Sequence, residues 1–436
     1  MTINQYNLLL FSTLVVKTLG QNNHNIQQVN FTQTLDHFAA RNDENHNFQQ
    51  RLFVDYSYWD GTGPIFAFFG GENTLVGSLP GHVGLLEGLA QETKGVIVYI
   101  EHRFYGWSIP LGDIKKAMAN KQVRACLTIG LALEDFKTVI LSLQRNISAN
   151  HLPVVVLGNG YSGALAVYFR IKYPNITVGA LASSSPVLLF GTTSLGNGYC
   201  STVSQDFKDF NQTCYKTING SWAKLDEIAS RPMGLSHLSK LFKRCRPLKS
   251  VDEIKLELAR FYSFAAQHGG PSQLWLSRFC TMVNGGNGDL EGLATALTST
   301  LGYEICFQTQ LYNLHSPFDD PDYTLVWEWQ DIKEILKNNG SNIIFSNGLR
   351  DPFSTAGIVE DLSDTILAIN TIEGTTELDL GAGDEEDPRW LEEQKGEETK
   401  IIRQWIAQHH SNSNTIVKNW GCTFQLWLIV AYMYLI

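Results

Sequence analysis

VVVLGNGYSGALAVYFRIKYP (residues 154–174) is the stretch that decides the fold. Its first part is apolar and β-branched and predicts a buried strand, and the part from GALAV onward predicts a helix. The glycines between them indicate a sharp turn. Ser162 draws attention as a nucleophile, but such a turn exposes the residue two positions after the glycine that ends the strand. Counted from Gly158, that residue is Gly160, and Ser162 falls in the first helical turn, where serine is a common starting residue.

The segments on either side of this stretch alternate between the two kinds of secondary structure. Apolar, β-rich runs predict strands, and stretches with helical spacing separate them. This rhythm is typical of a mainly parallel sheet covered by helices on both faces, with its site at the carboxyl ends of the strands. The runs that predict strands are GPIFAFFGGEN (63–73), GVIVYIEHRFYG (95–106), PVVVLG (153–158), VGALASSSPV (178–187) and SNIIFSNGLRDPFS (341–354).

A change of pattern divides the chain into parts. From about residue 190 to 330 the sequence becomes polar and helical, as expected for a helical cap inserted into the sheet domain, and KGEETKIIRQWIAQH (395–409) predicts the last helix. The predicted parts are a signal peptide at 1–20, a first core part at 26–190, the cap at 191–330, a second core part at 331–410, and a polar linker with a hydrophobic tail at 411–436.

The two ends of the chain carry targeting features. NLLLFSTLVVKTLG (7–20) fits a secretory signal, with a buried first strand as the alternative. CTFQLWLIVAYMYLI (422–436) has no charge but would reach only about 22 Å as a helix, short of the roughly 30 Å core of a bilayer. Its polar spacer and tail match a lipid-anchor signal, with an accidental extension as the alternative. We therefore expect a protein of the secretory pathway that is secreted, lysosomal or attached to the cell surface.

Glycosylation motifs and cysteines agree with that route. The seven cysteines show no metal-binding spacing, so disulfides are their expected use and the odd number leaves at least one unpaired. We predict no metal and no cofactor. The six Asn-x-Ser/Thr sites are Asn30, Asn146, Asn175, Asn211, Asn219 and Asn339.

Charge argues against nucleic acid as a partner. The formal net charge is -10, and the single basic run lies between residues 240 and 249. Apolar residues interrupt that run at roughly helical spacing, which favours a solvated helix face.

Several motifs, in order from about residue 31 to 408, resemble the family of serine exopeptidases that contains lysosomal Pro-Xaa carboxypeptidase and dipeptidyl peptidase II. This resemblance implies an α/β-hydrolase core with a helical cap, cleavage beside proline at one end of a peptide, a Ser, Asp, His triad in that order, and a homodimer. The motifs are TLDHF (34–38), FVDYSYW (53–59), EHRFYG (101–106), GYSGALAVYFRIKYP (160–174), VGALASSSPV (178–187) and SNIIFSNGLRDPFS (341–354).

The family's triad is incomplete in this chain. Its Gly-Gly-Ser-Tyr-x-Gly motif lies over residues 158–163 and places Gly160 at the nucleophile. Its Asn-Gly-x-x-Asp-Pro motif matches residues 347–352 and keeps the acid as Asp351. Its Glu-Gly-x-His-His-Leu-Asp-Leu motif lies over residues 373–380, where Thr376 and Glu377 replace both histidines.

These replacements remove the family's chemistry. A serine attacks only when a base takes its proton, and the imidazole must later return that proton to the leaving amine. Loss of either group costs on the order of a million-fold in turnover in a serine peptidase. The sequence therefore predicts a catalytically inactive homologue.

Two alternatives remain open. Ser162 could act as the nucleophile with a relocated base, for which His102 at the end of a strand is the nearest candidate, with His409 and His410 more remote. His102 is more simply a structural histidine, and Glu377 a weak base or a solvated loop residue. The other alternative is a decayed gene copy without a selected function.

Parts of the binding apparatus are retained. The amide of Tyr161 and the backbone at Gly71 would form an oxyanion hole, and Glu72 resembles an acidic residue that family members place near the substrate end. A simple turn is the alternative for these glycines. The expected partner is a peptide or protein ligand.

The cap is shorter than in the family. Family members carry a Cys-Thr-Glu motif and several tens of further residues after a Trp-x-x-Gln segment. Here Gln330 runs almost directly into the next helix and strand. Either the gene has lost this piece or the predicted gene structure omits it.

Overall fold

A computed structural model describes most of the chain. The described residues are 17–18, 25–39, 47–75, 83–149, 151–189, 198–286, 289–300, 332–383 and 386–433, with the backbone alone for 17–18 and 412–433. Of the predicted signal peptide, only Lys17 and Thr18 lie within the described residues.

A nine-stranded sheet forms the centre of the protein, in the order β1-β2-β3-β5-β4-β6-β7-β8-β9. The first three strands run antiparallel to their neighbours, and the six from β5 to β9 run parallel. The strands are β1 Lys17–Thr18, β2 Ile26–Thr34, β3 Asn47–Asp55, β4 Ile65–Phe69, β5 Val96–Ile100, β6 Val154–Asn159, β7 Gly179–Ser183, β8 Ile343–Gly348 and β9 Ile366–Thr371.

Helices cover both faces of this sheet. Strands β4, β5, β7 and β8 are buried at every position, as their apolar sequences require when no strand face meets water. Helices α4 and α5 pack on one face, together with α12. Helices α1 and α13 pack on the other face, where Trp405 lies against Gly179. The core helices are α1 Gly84–Thr93, α2 Ile114–Ala119, α3 Lys121–Arg124, α4 Ile129–Asn146, α5 Gly160–Lys172, α12 Ile332–Asn339 and α13 Arg389–Met433, with 3-10 turns at Pro110–Gly112, Pro352–Ala356 and Leu378–Leu380.

This topology confirms the predicted α/β-hydrolase fold. The chain passes from β4 through α1 to β5 and then returns past β4 to β6. The carboxyl ends of β4, β6, β8 and β9 consequently lie along one edge of the sheet. In sheets of this kind ligands bind at that edge, so the loops that follow these four strands form the candidate site.

Between β7 and α12, the described residues form six helices that have a hydrophobic core of their own. A disulfide joins Cys214 to Cys280 within this core, which agrees with the expected use of cysteine. Cys245 is also disulfide-bonded, whereas Cys126 and Cys200 are free. The helices are α6 Gly198–Phe210, α7 Gln212–Ala229, α8 Gly234–Leu241, α9 Val251–Gln267, α10 Leu274–Gly285 and α11 Leu290–Thr300. The predicted shortening of the cap near Gln330 lies outside the described residues.

Two local expectations were wrong. The basic run does not lie on one helix face, because α8 ends at Leu241 and the side chain of Arg244 turns inward to pair with Glu257. The last helix does not end at residue 409 but continues to Met433, through the segment predicted as a polar linker. No helix within the described part of the chain is both long enough and apolar enough to cross a membrane.

Candidate active site

The turn between β6 and α5 has the geometry of a nucleophile elbow. Gly160 is the first residue of α5 and has a φ of +51°, a left-handed conformation that is strained for other residues. Asn159 is the N-cap, and its amide donates to Ser162 Oγ at 3.0 Å. The Ser185 hydroxyl donates to the Gly160 carbonyl at 3.0 Å and fixes the turn from the next loop.

Steric crowding distinguishes the three glycines of the elbow. A Cβ at Gly158 would lie 2.3 Å from the carbonyl oxygen of Ser162, and one at Gly163 would lie 3.0 Å from Gly158 O. Gly158 therefore requires glycine, and Gly163 has little room for a larger residue. A Cβ at Gly160 would meet no atom closer than Glu377 Oε1, at 4.0 Å. Packing thus leaves room for a side chain at the nucleophile position.

Asp351 follows β8 and is almost completely buried, at 1% exposure. Its Oδ1 accepts a 3.0 Å hydrogen bond from the Phe353 amide, and Oδ2 has no hydrogen-bond partner among the described residues. Burial raises the pKa of this carboxyl to about 7 and the charge of Glu377 adds to the rise, while the Phe353 amide and the nearby Thr376 and Ser184 hydroxyls lower it. The predicted triad acid therefore lies near two hydroxyls and a second carboxylate.

The loop after β9 places Thr376 and Glu377 side by side. The Thr376 amide donates to the Gln267 carbonyl of the cap at 3.2 Å, and the Glu377 amide donates to Ser184 Oγ at 2.9 Å. Glu377 has a left-handed φ of +61°, and its side chain is partly buried and turned toward Gly160. The interpretation of Glu377 as a solvated loop residue was wrong, because this turn directs its carboxylate into the site.

A cavity of about 190 Å³ lies between the elbow and the loop after β4. The described residues of its lining are 70–75, 159–162, Phe68 and Glu377, and no histidine is among them. Gly71 closes against the first turn of α5, since a Cβ there would lie 3.6 Å from that of Ser162. Glu72 is exposed at the mouth of the cavity. The residues assigned to the oxyanion hole and the substrate end therefore share one cavity with Gly160.

His102, the candidate for a relocated base, has a hydrogen-bond partner on each ring nitrogen. His102 is fully buried, and its Nδ1 lies 2.6 Å from the carbonyl oxygen of Arg103, so that this nitrogen donates. Its Nε2 then accepts from the hydroxyl of Tyr161 at 3.2 Å. Burial lowers the pKa of His102 to about 4. On the last helix, His409 Nε2 lies 3.1 Å from the His151 carbonyl, and neither it nor His410 lines the cavity.

Ser162 has a local role in the helix. Its hydroxyl accepts a hydrogen bond from the Asn159 amide and lies 3.0 Å from the Asn159 carbonyl oxygen. The Ser162 side chain is buried, since the residue is only 1% exposed. This reciprocal pairing of the N-cap and the third helical residue is a capping box. The hydroxyl thus binds the backbone of its own turn.

The predicted glycosylation sites differ in exposure. Asn175, Asn219 and Asn339 are exposed, whereas Asn30, Asn146 and Asn211 are partly buried. Asn211 also caps α7 by accepting from the Cys214 amide at 2.9 Å. The exposed three are therefore the ones best placed for a glycan.

The sequence did not indicate that buried carboxyl groups of the cap and the core lie close enough to influence each other's pKa. Asp206 of α6 is buried at 6% exposure, and burial raises its pKa to about 7, with the charge of Arg350 lowering it and those of Asp209 and Asp351 raising it further. Nothing in the local sequence of α6 indicates this neighbourhood, which arises when the cap packs on the loop after β8. Among the described residues, no group of three or more His, Cys, Asp or Glu side chains could hold a metal ion.

Comparisons with known proteins relate the chain to peptidases. The family model described as serine carboxypeptidase S28 matches residues 33–274. Lysosomal Pro-X carboxypeptidase of Mus musculus is 29% identical, with 88% of this chain and 89% of the relative covered, and that of Homo sapiens is 28% identical over the same shares. The solved proline iminopeptidase of Mycobacterium smegmatis covers 84% of this chain and 97% of its own, at 13% identity and a TM-score of 0.36.

Proposed function

Because the chain belongs to the serine carboxypeptidase S28 family, we propose that it is a prolyl carboxypeptidase homologue that binds the end of a peptide or protein without cleaving it by the family's serine mechanism. One observation carries this proposal. Among the described residues, the cavity at the elbow is lined by Gly160 and by no histidine, and Asp351, the predicted triad acid, is buried in the loop after β8.

The retained parts favour binding over complete loss of function. The elbow keeps its left-handed backbone, and the Gly71 loop closes on the first turn of α5. Glu72 remains at the mouth of the same cavity, where an acidic group can meet a charged peptide end. A decayed copy has no reason to keep these features together, because each depends on a different loop.

We place this function in the secretory pathway. The two relatives are named lysosomal, the cap contains a disulfide, and three of the glycosylation motifs are exposed. Disulfides persist in oxidising compartments. Anchoring through the hydrophobic tail and assembly as a homodimer belong to the same proposal, and mass spectrometry of the mature C-terminus tests the anchor.

The proposal is tested with a fluorophosphonate probe and Pro-containing peptide substrates. We expect no labelling and no peptide cleavage by the natural chain, because Gly160 carries no hydroxyl and no histidine of the described residues lines the cavity. The double variant Gly160→Ser, Thr376→His should gain both, since Gly160 has room for a side chain and Asp351 is in place.

The control is Ser162→Ala. Labelling of the natural chain that disappears in Ser162→Ala would establish the alternative, an active exopeptidase that uses Ser162, and would overturn the proposal. Binding of a Pro-containing peptide, measured by calorimetry on the natural chain, is the positive result. A folded protein that binds none of these peptides contradicts the binding part.

A further inference from the structure

The cavity at the elbow has space and polar partners for a small nucleophile. Glycine at position 160 leaves open the region between its Cα and Glu377. If the residue carried a Cβ, the nearest atom would be Glu377 Oε1 at 4.0 Å. A bound water needs roughly 30 Å³ and two to four polar partners. The cavity of about 190 Å³ therefore accommodates a water together with a small acyl group.

Glu377 is held in the position of a base toward that space. Its amide is fixed by Ser184 Oγ at 2.9 Å, and its left-handed φ turns the side chain toward the elbow. A serine at position 160 would carry its Oγ one bond beyond Cβ, and a rotamer on the Glu377 side would bring that oxygen closer to the carboxylate than Cβ. A water in the same place would therefore lie within hydrogen-bond reach of Glu377 Oε1.

Burial also makes this carboxylate a stronger base. Desolvation raises the pKa of Glu377, with a hydrogen bond to the Asn159 side chain lowering it and the charge of Asp379 raising it. A carboxyl group whose pKa lies closer to the working pH is a better general base.

The opposite side of the cavity suits a developing negative charge. The Tyr161 amide belongs to the first turn of α5, a helix of 13 residues, and the Gly71 backbone faces the same turn. Backbone amides at a helix N-terminus stabilise an oxyanion in a site that is closed to bulk water. A carbonyl bound here would have its oxygen near these amides and its carbon beside the space at Gly160.

We propose that Glu377 and a water bound beside Gly160 hydrolyse activated acyl esters directly, without an acyl-enzyme. Glu377 accepts a proton from the water, whose oxygen forms a bond to the acyl carbon, and the carbonyl electron pair moves onto the oxygen held by the amides. Collapse of this intermediate breaks the bond to the leaving alkoxide or phenolate. The proton on Glu377 passes to that leaving group, so ester and water become acid and alcohol.

Esters, and not peptides, are the substrates of this step. A phenolate leaves without prior protonation, whereas the amine of a peptide must be protonated as the bond breaks, a task that the family's imidazole performs. This activity goes beyond peptide binding and does not depend on it, because the acyl group needs only the cavity and the amides.

The experiment measures hydrolysis of p-nitrophenyl acetate and butyrate by the full chain. Glu377→Gln keeps the size of the side chain and removes the base, so we expect a loss of about 100-fold, within the range that general bases contribute. Glu373→Gln alters an exposed carboxylate of the same loop and should retain the rate. Gly160→Ala should also lose activity, because its methyl group occupies the place of the water.

The time course separates this mechanism from the alternatives. Direct attack by water gives no burst of p-nitrophenol and no labelling by a fluorophosphonate. Equal rates for the natural chain and Glu377→Gln, or a burst that Ser162→Ala abolishes, would overturn the proposal. If Glu377→Gln does not fold, an unchanged rate in Gly160→Ala does the same. An unchanged rate in Glu377→Gln overturns the esterase proposal alone, and a lack of peptide binding overturns the binding proposal alone, so the two failures can be distinguished.

Discussion

At the scale of single residues, Ser162 and Glu377 each have surroundings that their sequence positions do not suggest. Ser162 stands in a Gly-x-Ser frame, but its hydroxyl binds the backbone of Asn159. Glu377 replaces a histidine and faces the nucleophile position. The identities of both residues are plain in the sequence, whereas the direction of each side chain depends on backbone turns that the motifs do not specify.

Ser162→Ala should destabilise the fold by about 1 kcal/mol, the usual contribution of a capping interaction. The reason is that the Asn159 amide loses its partner in the first turn of α5. The urea midpoint measures this change. Ser201→Ala on the exposed side of α6 is the matched control and should stay within about 0.5 kcal/mol. An unchanged midpoint in Ser162→Ala would show that the cap contributes nothing.

At the scale of elements, the parallel strands and their helices follow directly from the sequence, while the antiparallel edge does not. Strands β4 to β8 are apolar runs that end at glycine or polar residues, so pattern alone finds them. Strands β2 and β3 carry many polar residues, such as Gln33 and Gln50, whose side chains bond to one another at 2.8 Å inside the protein. Such pairs become visible only when the two strands are aligned.

Substitutions of the elbow glycines should differ sharply in cost. Gly158→Ala would drive a methyl group to within 2.3 Å of a backbone oxygen, so we expect a loss of more than about 3 kcal/mol or failure to fold. Gly160→Ala meets no such contact and should cost only the strain of a left-handed residue, about 1 kcal/mol. Thermal midpoints of the two variants compare them, and equal losses would contradict this account of the turn.

At the scale of the whole molecule, the cap and the sheet domain meet across buried carboxyl groups. Helix α6 packs on the loop after β8, where Tyr199 stacks edge-on against Phe353. Asp206 and Asp351 lie in this junction, and the pKa of each is raised to about 7 by burial. A carboxyl group that is protonated in the folded protein but ionises near pH 4 when unfolded favours the folded state at acidic pH.

This arrangement predicts that stability falls as the pH rises from about 4 through about 7. The folded chain binds more protons than the unfolded chain in that window, so the free energy of unfolding decreases with pH. His102, whose pKa is lowered to about 4, acts in the opposite sense below pH 6.5. Asp206→Asn removes one of the acidic groups and should gain on the order of 2 kcal/mol over the natural chain at pH 8.

Urea unfolding at pH 5.5 and pH 8 measures this effect. Glu291→Gln, at an exposed position of the cap helix α11, is the control and should keep the pH dependence of the natural chain. A natural chain that is more stable at pH 8 than at pH 5.5 would refute the prediction.

The sequence by itself determined the α/β-hydrolase fold and the turn at Gly160, and it predicts that Gly160 and Thr376 stand at the serine and histidine positions of the triad. These properties are local, because strand and helix periodicity and the conformational demands of a turn act over a few residues. The tertiary structure decided that Glu377 faces Gly160, that His102 is tied to Tyr161, and that Asp206 lies beside Asp351. Those contacts join residues far apart in the chain, and only the order of the strands and the packing of the cap bring them together.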